Sequence, residues 1–74
     1  MPKLPRISGK KAVKVFEKLG FKIVRQKGSH IVMRKEHRGC VIPLHKSLAI
    51  GTLKNAIKQA GLNNEEFINA YNDY

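Results

Sequence analysis

Two β-type runs on either side of a short glycine turn place the strongest constraint on how this chain folds. The first run covers residues 21–26, the turn contains Gly28, and the second run begins at His30. Runs of this kind predict a β-hairpin. Because successive side chains of a strand point to opposite faces, Ile31 and Met33 should enter a core while His30 lies on the other face.

The turn is compatible with two pairing registers. If it consists of Gly28 and Ser29 alone, it is of type II′, with glycine at its first position. That register has these cross-strand pairs: Lys27 with His30, Arg25 with Val32, and Ile23 with Arg34. A three-residue loop at 27–29 gives a different set: Gln26 with His30, Val24 with Val32, and Lys22 with Arg34. In both registers His30 shares its face with Arg34 and at least one further cation.

A helix should precede the hairpin. Residues 1–7 contain two prolines and are expected to form an extended leader. The helix should then span 9–19, with Ser8 as its N-cap and Gly20 ending it in a left-handed conformation. Its apolar residues fall on one helical stripe, opposite most of its lysines; the stripe consists of Ala12, Val13, Val15, Phe16 and Leu19.

A third strand and two further helices should follow the hairpin. The segment 36–39 is a polar turn, 40–44 is a strand with Pro43 at its edge or end, and 45–47 is an exit loop. A helix is expected at 49–60, with its buried stripe made of Leu53, Ala56, Ile57 and Ala60. A short last helix should begin at 63–66, where Asn63 and Glu66 can form a capping box and Phe67, Ile68 and Tyr71 supply the apolar side.

This order predicts a single α+β domain over residues 1–74 with the topology α-β-β-β-α and a short C-terminal helix. Three sequential strands joined by short turns make an antiparallel meander, and two helices cover one face of it. The other face, which carries His30, is left to solvent. The arrangement resembles the double-stranded-RNA-binding domain (dsRBD), a fold that reads RNA by shape and phosphate contacts. The lysine cluster that those domains carry before their last helix is absent from 47–51.

The charge of the chain is its most unusual compositional property. Fifteen Lys and Arg stand against five Asp and Glu, which gives a net charge of +10. All the cations lie within residues 1–58, where only Glu17 and Glu36 oppose them. A basic body of this density attracts polyanions, with nucleic acid as the first expectation and an anionic membrane or an acidic protein as the second.

Cysteine usage and hydropathy indicate a cytoplasmic protein. Cys40 is the single cysteine, so no intrachain disulfide can form, and it should fill a small space in the core or on a strand face. The N-terminus lacks a signal-peptide core, and no apolar run approaches the length needed to cross a bilayer. The spacing of His30, His37, Cys40 and His45 matches no zinc pattern, so no metal or other cofactor is expected.

Several short motifs, in order, resemble the HicA family of toxins from bacterial and archaeal type II toxin–antitoxin modules. The resemblance runs from Ser8 to Phe67 and rests on these segments: Leu19-Gly20-Phe21, residues 25–30, Val41-Ile42-Pro43-Leu44-His45, Gly51-Thr52-Leu53, residues 58–62, and Glu65-Glu66-Phe67. It implies a dsRBD-like fold and ribosome-independent cleavage of mRNA. It also implies silencing by a partner antitoxin, HicB, which covers the active site. The catalytic histidine of the family lies in the Gly-Ser-His motif, which here is His30.

The chemistry of RNA cleavage suits such a site. The 2′-OH of RNA is the nucleophile, and a histidine, which titrates near neutrality, can act as its general base or as the acid for the leaving oxygen. Gly28 and Ser29 would let the phosphate approach the backbone. The added charge on phosphorus would be stabilised by cations on the same face: Arg25, Lys27 and Arg34. The alternative for His30 is an ordinary solvated strand histidine.

Other interpretations remain open at this point. His45 could contact a phosphate, act as a second proton carrier, or be a plain loop histidine. The same fold could serve as a non-catalytic RNA-binding module, or as a protein-interaction module whose charge meets only an acidic partner.

Overall fold

The computed structural model of the chain describes residues 3–73 and confirms the predicted order of elements. The elements are α1 (Gly9–Lys18), β1 (Lys22–Lys27), β2 (His30–Lys35), β3 (Arg38–Pro43), α2 (Ile50–Gln59) and α3 (Asn64–Asn72). The strands form one antiparallel sheet in the order β1-β2-β3. The first two residues of the expected leader lie outside the described part; residues 3–7 contain no helix or strand, and Ile7 is buried.

The helices lie on one face of the sheet, as predicted. The core-facing residues of β2 and β3 are Ile31, Met33, Cys40 and Ile42, and all four are buried. The three phenylalanines meet in this core, where the ring centroid of Phe16 lies 5.6 Å from that of Phe21 and 5.2 Å from that of Phe67. The opposite face of the sheet is open to solvent. We refer to it below as the open face. None of the helices within residues 3–73 has the length and apolar character needed to cross a membrane.

Two of the helices begin at side-chain N-caps, as the sequence indicates. The hydroxyl of Ser8 accepts the N–H of Lys11 at 3.0 Å at the start of α1. Asn63 and Glu66 form the predicted capping box of α3, with bonds of 2.8 and 3.0 Å. The N-cap of α2 is Ala49, which has extended backbone angles and no side-chain acceptor. One helix therefore begins without the bond that stabilises the other two.

Supplying that acceptor is expected to stabilise the protein. Ala49→Thr should raise the free energy of unfolding by about 1 kcal/mol relative to Ala49→Val, because threonine offers an oxygen to the free N–H groups of α2 and valine has the same shape without one. The comparison of urea unfolding midpoints measures this difference. Equal midpoints for the two variants would mean that water already satisfies the start of α2.

The turn between β2 and β3 is shorter than predicted. Lys35 pairs with Arg38, so the turn contains only Glu36 and His37, and β3 begins two residues earlier than the predicted 40–44. Glu36 adopts a left-handed conformation with a φ of 57°. This tight turn, which usually prefers glycine at that position, extends the ladder and was not indicated by the polar composition of the segment.

The observed hairpin combines the two registers that the sequence allows. Close to the turn Lys27 pairs with His30 and Arg25 with Val32, as in the two-residue register. Farther along, Lys22 pairs with Arg34, as in the three-residue register. A β-bulge between Ile23 and Arg25 joins the two patterns. Such a bulge inserts one extra residue into one strand and changes the face on which the following side chains lie.

Candidate functional site

His30 lies where the hairpin prediction put it, on the open face at the first position of β2. Its side chain is exposed, whereas Ile31 and Met33 are only 5% and 0% exposed on the opposite face. The Gly28-Ser29 turn immediately precedes it. Gly28 has a φ of 59°, and Ser29 is outside the left-handed region, which agrees with the expected type II′ turn.

The turn leaves room for a ligand to approach the backbone beside His30. A Cβ placed on Gly28 would have no atom within 4 Å. The glycine is therefore required by its backbone conformation and not by crowding. The side-chain amide of Gln26 donates to the carbonyl oxygen of Gly28 at 3.1 Å, which helps to hold the turn in shape.

The bulge gathers cations onto the face of His30. Directly paired residues of antiparallel strands lie on the same face, with Cβ atoms about 4.5–5.5 Å apart. The open face of the hairpin therefore carries four cations: Lys22, Arg25, Lys27 and Arg34. Neither uniform register would put all three β1 cations there, because each would replace at least one of them with an uncharged residue. We call these four residues the cationic face.

Among residues 3–73, no carboxylate forms an ion pair with a residue of the cationic face; Asp73, for instance, lies 3.7 Å from Lys18 at α1. Lys35, next in the chain to Arg34, lies off the open face and donates to the carbonyl oxygen of Leu19 at 2.9 Å. The positive potential around His30 is thus available to a polyanion.

The β3 half of the open face is different in character. Pro43, Val41 and Gly39 lie opposite His30, Val32 and Arg34 in the register, and none of the three carries a charge. A shallow groove crosses this half of the sheet and is lined in part by Val32, Arg34, His37, Val41 and Gln59. The open face therefore has a cationic half on β1 and β2 and a largely apolar half on β3.

His45 is held at the same end of the sheet as His30 by two backbone hydrogen bonds. The N–H of Leu44 donates to the carbonyl oxygen of Ser29 at 2.7 Å, which fastens the exit of β3 to the turn. The carbonyl oxygen of His45 in turn accepts the N–H of Gly9 at 2.9 Å, at the start of α1. The side chain of His45 is exposed. Sequence patterns do not indicate these bonds, because they join segments far apart in the chain.

Close packing holds the start of α1 against the end of β3. Gly9 is buried, and a Cβ placed on it would overlap the carbonyl oxygen of Pro43 and lie 2.9 Å from the Cα of Leu44. The start of α1 therefore touches the backbone that leads into His45. The sequence does not indicate this contact, because a glycine at the start of a helix has no pattern that links it to β3.

The remaining candidate ligands do not join His30. His37 lies in the turn at the other end of β2, and Cys40 is buried in the core, as expected for a small core residue. Burial raises the pKa of the Cys40 thiol to about 11, so it stays protonated at neutral pH. Among the described residues, no three His, Cys, Asp or Glu side chains are grouped so that they could hold a metal ion.

Gln59 is a residue of this region that sequence reasoning missed. Its side-chain oxygen accepts the N–H of Val41 at 3.3 Å and so occupies an outward-facing donor of β3. A polar residue near the end of a helix has many roles, and only the packing of α2 beside β3 identifies this one.

The comparison with family models agrees with the observed fold. A family model described as HicA toxin of bacterial toxin–antitoxin matches residues 9–62. The match begins at the first residue of α1 and includes the whole sheet, both His30 and His45, and α2. No curated protein matches the chain significantly. Since the family match covers well over half of the 74 residues, the chain belongs to the HicA family of bacterial toxin–antitoxin toxins.

Proposed function

We propose that this toxin is an endoribonuclease that cleaves mRNA by acid–base catalysis at His30. The observation that carries the proposal is an exposed histidine on an unneutralised cationic face, directly after a turn with an open backbone. Membership of a toxin family supports a damaging activity, and the positive charge of the chain supports a polyanionic substrate. Because mRNA is the proposed substrate, the proposed location is the cytoplasm.

In this mechanism His30 moves the proton and the cationic face stabilises the charge. His30 removes the proton from the 2′-OH or delivers one to the departing 5′-oxygen. A single positioned histidine supplies roughly 10²–10⁴-fold of rate. The phosphate lies against Gly28 and Ser29, where no side chain obstructs it, and Arg25, Lys27 and Arg34 stabilise the extra negative charge on phosphorus. The reaction requires no metal and no other cofactor.

His45 is the second candidate for proton transfer or phosphate contact. RNA cleavage needs one group to accept a proton and one to deliver it, and both histidines lie at the same end of the sheet. The backbone bonds on either side of His45 fix its position relative to the turn. If His45 transfers a proton, His45→Ala retains RNA binding and loses much of the cleavage rate; if His45 contacts a phosphate, the same change also weakens RNA binding.

The open face favours RNA recognition with little sequence preference. The phenylalanines lie in the core and Tyr71 lies on α3, so no described aromatic side chain is offered to bases on this face. Recognition then rests on phosphate contacts, which carry no sequence information directly. A HicB-like antitoxin is the proposed inhibitor, and it would act by covering His30 and the cationic face.

A cleavage assay on matched RNA and DNA tests this function. Purified protein is incubated in EDTA with an end-labelled RNA and with the DNA of the same sequence. We expect cleavage of the RNA alone, with products that carry a 5′-hydroxyl, because the 2′-OH is the nucleophile. Cleavage of both the RNA and the DNA, or a requirement for added metal, would contradict the mechanism.

A non-catalytic RNA-binding module on the same fold is the second candidate. The cationic face favours it as strongly as it favours a nuclease, since phosphate binding requires only charge. It predicts that the RNA in the assay above is bound and remains intact. It also predicts that His30→Ala leaves the affinity for RNA nearly unchanged.

Both candidates predict a defined salt dependence of RNA binding. Each phosphate contact with single-stranded nucleic acid contributes about −0.7 to the slope of log K against log salt, so the four-residue cationic face should give a slope of about −3. Lys27→Gln should reduce its magnitude by about 0.7. Lys54→Gln, an equal loss of charge at an exposed position of α2, serves as the control and should leave the slope unchanged. Equal slopes for the two variants would place the RNA elsewhere.

A further inference from the structure

The two edges of the sheet differ in how far the rest of the fold covers them. At the β3 edge, α2 packs alongside and Gln59 accepts the N–H of Val41. At the β1 edge all six residues are exposed, while β2 and β3 each have buried positions. A bare strand edge presents unpaired N–H and C=O groups and can accept an additional strand.

The β1 edge also carries apolar side chains that the fold leaves partly exposed. Ile23 pairs with Met33, which is fully buried, so Ile23 lies on the helix-covered side of the sheet. It is nevertheless 47% exposed, and its neighbour Val24 in the bulge is 55% exposed. An additional strand beside β1 would cover Ile23 and continue the core layer outward by one strand.

The charges on β1 determine which kind of strand fits. Lys22, Arg25 and Lys27 all lie on the open face of this edge, and β1 contains no acidic residue. A second copy of the chain pairing through β1 would bring like charges together across the new interface, which is destabilising. A strand with acidic side chains on the open-face side and apolar side chains on the helix side complements both faces of β1.

We propose that the β1 edge is the docking site for an extended acidic strand of a partner protein, which adds to the sheet as a fourth strand beside β1. Backbone hydrogen bonds supply the pairing, and contacts with Arg25 and Lys27 supply selectivity. The acidic side chains of the added strand would also pair with these cations and so lower the positive charge beside His30. That regulatory consequence rests on the proposed function, whereas the docking itself does not.

A synthetic peptide tests the docking directly. The probe is a seven-residue peptide that alternates Glu and Val, and its control has the same composition with the glutamates grouped at one end. We expect the alternating peptide to bind at least about fivefold more tightly, because only it presents one acidic and one apolar face when extended. It should also slow amide hydrogen exchange within residues 22–27 of the full-length, isotope-labelled protein.

Paired charge variants locate the contact. Arg25→Glu should weaken binding of the alternating peptide about five- to tenfold, since it replaces an attraction with a repulsion across the strands. Lys54→Glu changes the charge equally on α2 and should weaken binding less than about twofold. Lys22→Glu on the same edge provides a second β1 variant if Arg25→Glu fails to fold.

Several results would overturn the proposal. Equal affinity for the two peptides would show a purely electrostatic contact, and protection of amides outside β1 would place the peptide elsewhere. Self-association of the protein in sedimentation, removed by Arg25→Glu, would identify a second copy as the occupant. Peptide binding at β1 by a protein that does not cleave RNA would uphold the docking and refute the nuclease. Cleavage without peptide binding would do the reverse.

Discussion

Replacing His30 by alanine is expected to lower the rate of RNA cleavage by about 10²–10⁴-fold while the protein remains folded. The loss follows from removing the group that transfers the proton. Stability should change little, because the side chain is exposed and its removal leaves no cavity in the core. Single-turnover cleavage at saturating protein measures the rate, and thermal unfolding measures the stability.

His37→Ala is the matched control for this substitution. His37 is also exposed, but it lies in the turn at the opposite end of β2. Its replacement should change the cleavage rate by less than about twofold, because exposed residues away from the site usually have small effects when they are substituted. If His30→Ala cuts RNA as fast as the unaltered protein, the chemistry lies elsewhere, and His45 is the next residue to test.

The second large effect is expected at a residue that takes no part in chemistry. Gly9→Ala should lower the free energy of unfolding by about 3 kcal/mol, at the upper end of typical overpacking effects. The added Cβ would overlap the carbonyl oxygen of Pro43, and neither atom can rotate away, because the oxygen belongs to the main chain and the backbone fixes the position of a Cβ. Urea unfolding followed by far-ultraviolet circular dichroism measures the change.

Gly51→Ala is the same substitution with the opposite expected sign. Gly51 lies in the first turn of α2, and a Cβ placed there meets no atom within 4 Å. Alanine should therefore raise the stability by about 0.5–1 kcal/mol, because it loses less conformational entropy in a helix than glycine does. A similar unfolding midpoint for both variants would mean that α1 can shift away from β3 without cost.

Local signals in the sequence were sufficient to predict the elements and their order. The apolar stripes of α1 and α2 are buried as expected, apart from Leu19, which is partly buried. The N-cap at Ser8 and the capping box at Asn63 depend on residues three positions apart, so they are visible in the sequence. Most element ends differ from the prediction by one or two residues, which is the usual imprecision of such boundaries.

The register of the hairpin could not be predicted, because two requirements compete along β1. Near the turn the pairing keeps Arg25 and Lys27 on the solvent side with His30. Uniform alternation would then also put Ile23 in solvent, away from the buried Met33 with which it pairs. One extra residue in the strand satisfies both ends. Which position absorbs it depends on packing that the sequence pattern does not contain.

The candidate site was predictable in part. The placement of His30 and Arg34 on one face follows from alternation within one strand, which is a local property, whereas the full set of β1 cations beside them depends on the bulge. The placement of His45 depends on bonds from Leu44 to Ser29 and from Gly9 to His45, which join the turn, the exit of β3 and the start of α1. Contacts between segments so distant in sequence leave no periodic pattern, so the sequence left several interpretations of His45 open.

The bulge in β1 has a consequence for how chains of this kind can be compared and redesigned. Removing one residue at Val24 would leave both the composition and the net charge of the strand almost unaltered. It would also remove the bulge, so regular alternation would keep the side chain of Lys22 on the open face and that of Ile23 on the side where the helices pack. A strand that is one residue shorter and has no bulge would therefore present the same cations beside His30 as the six-residue β1.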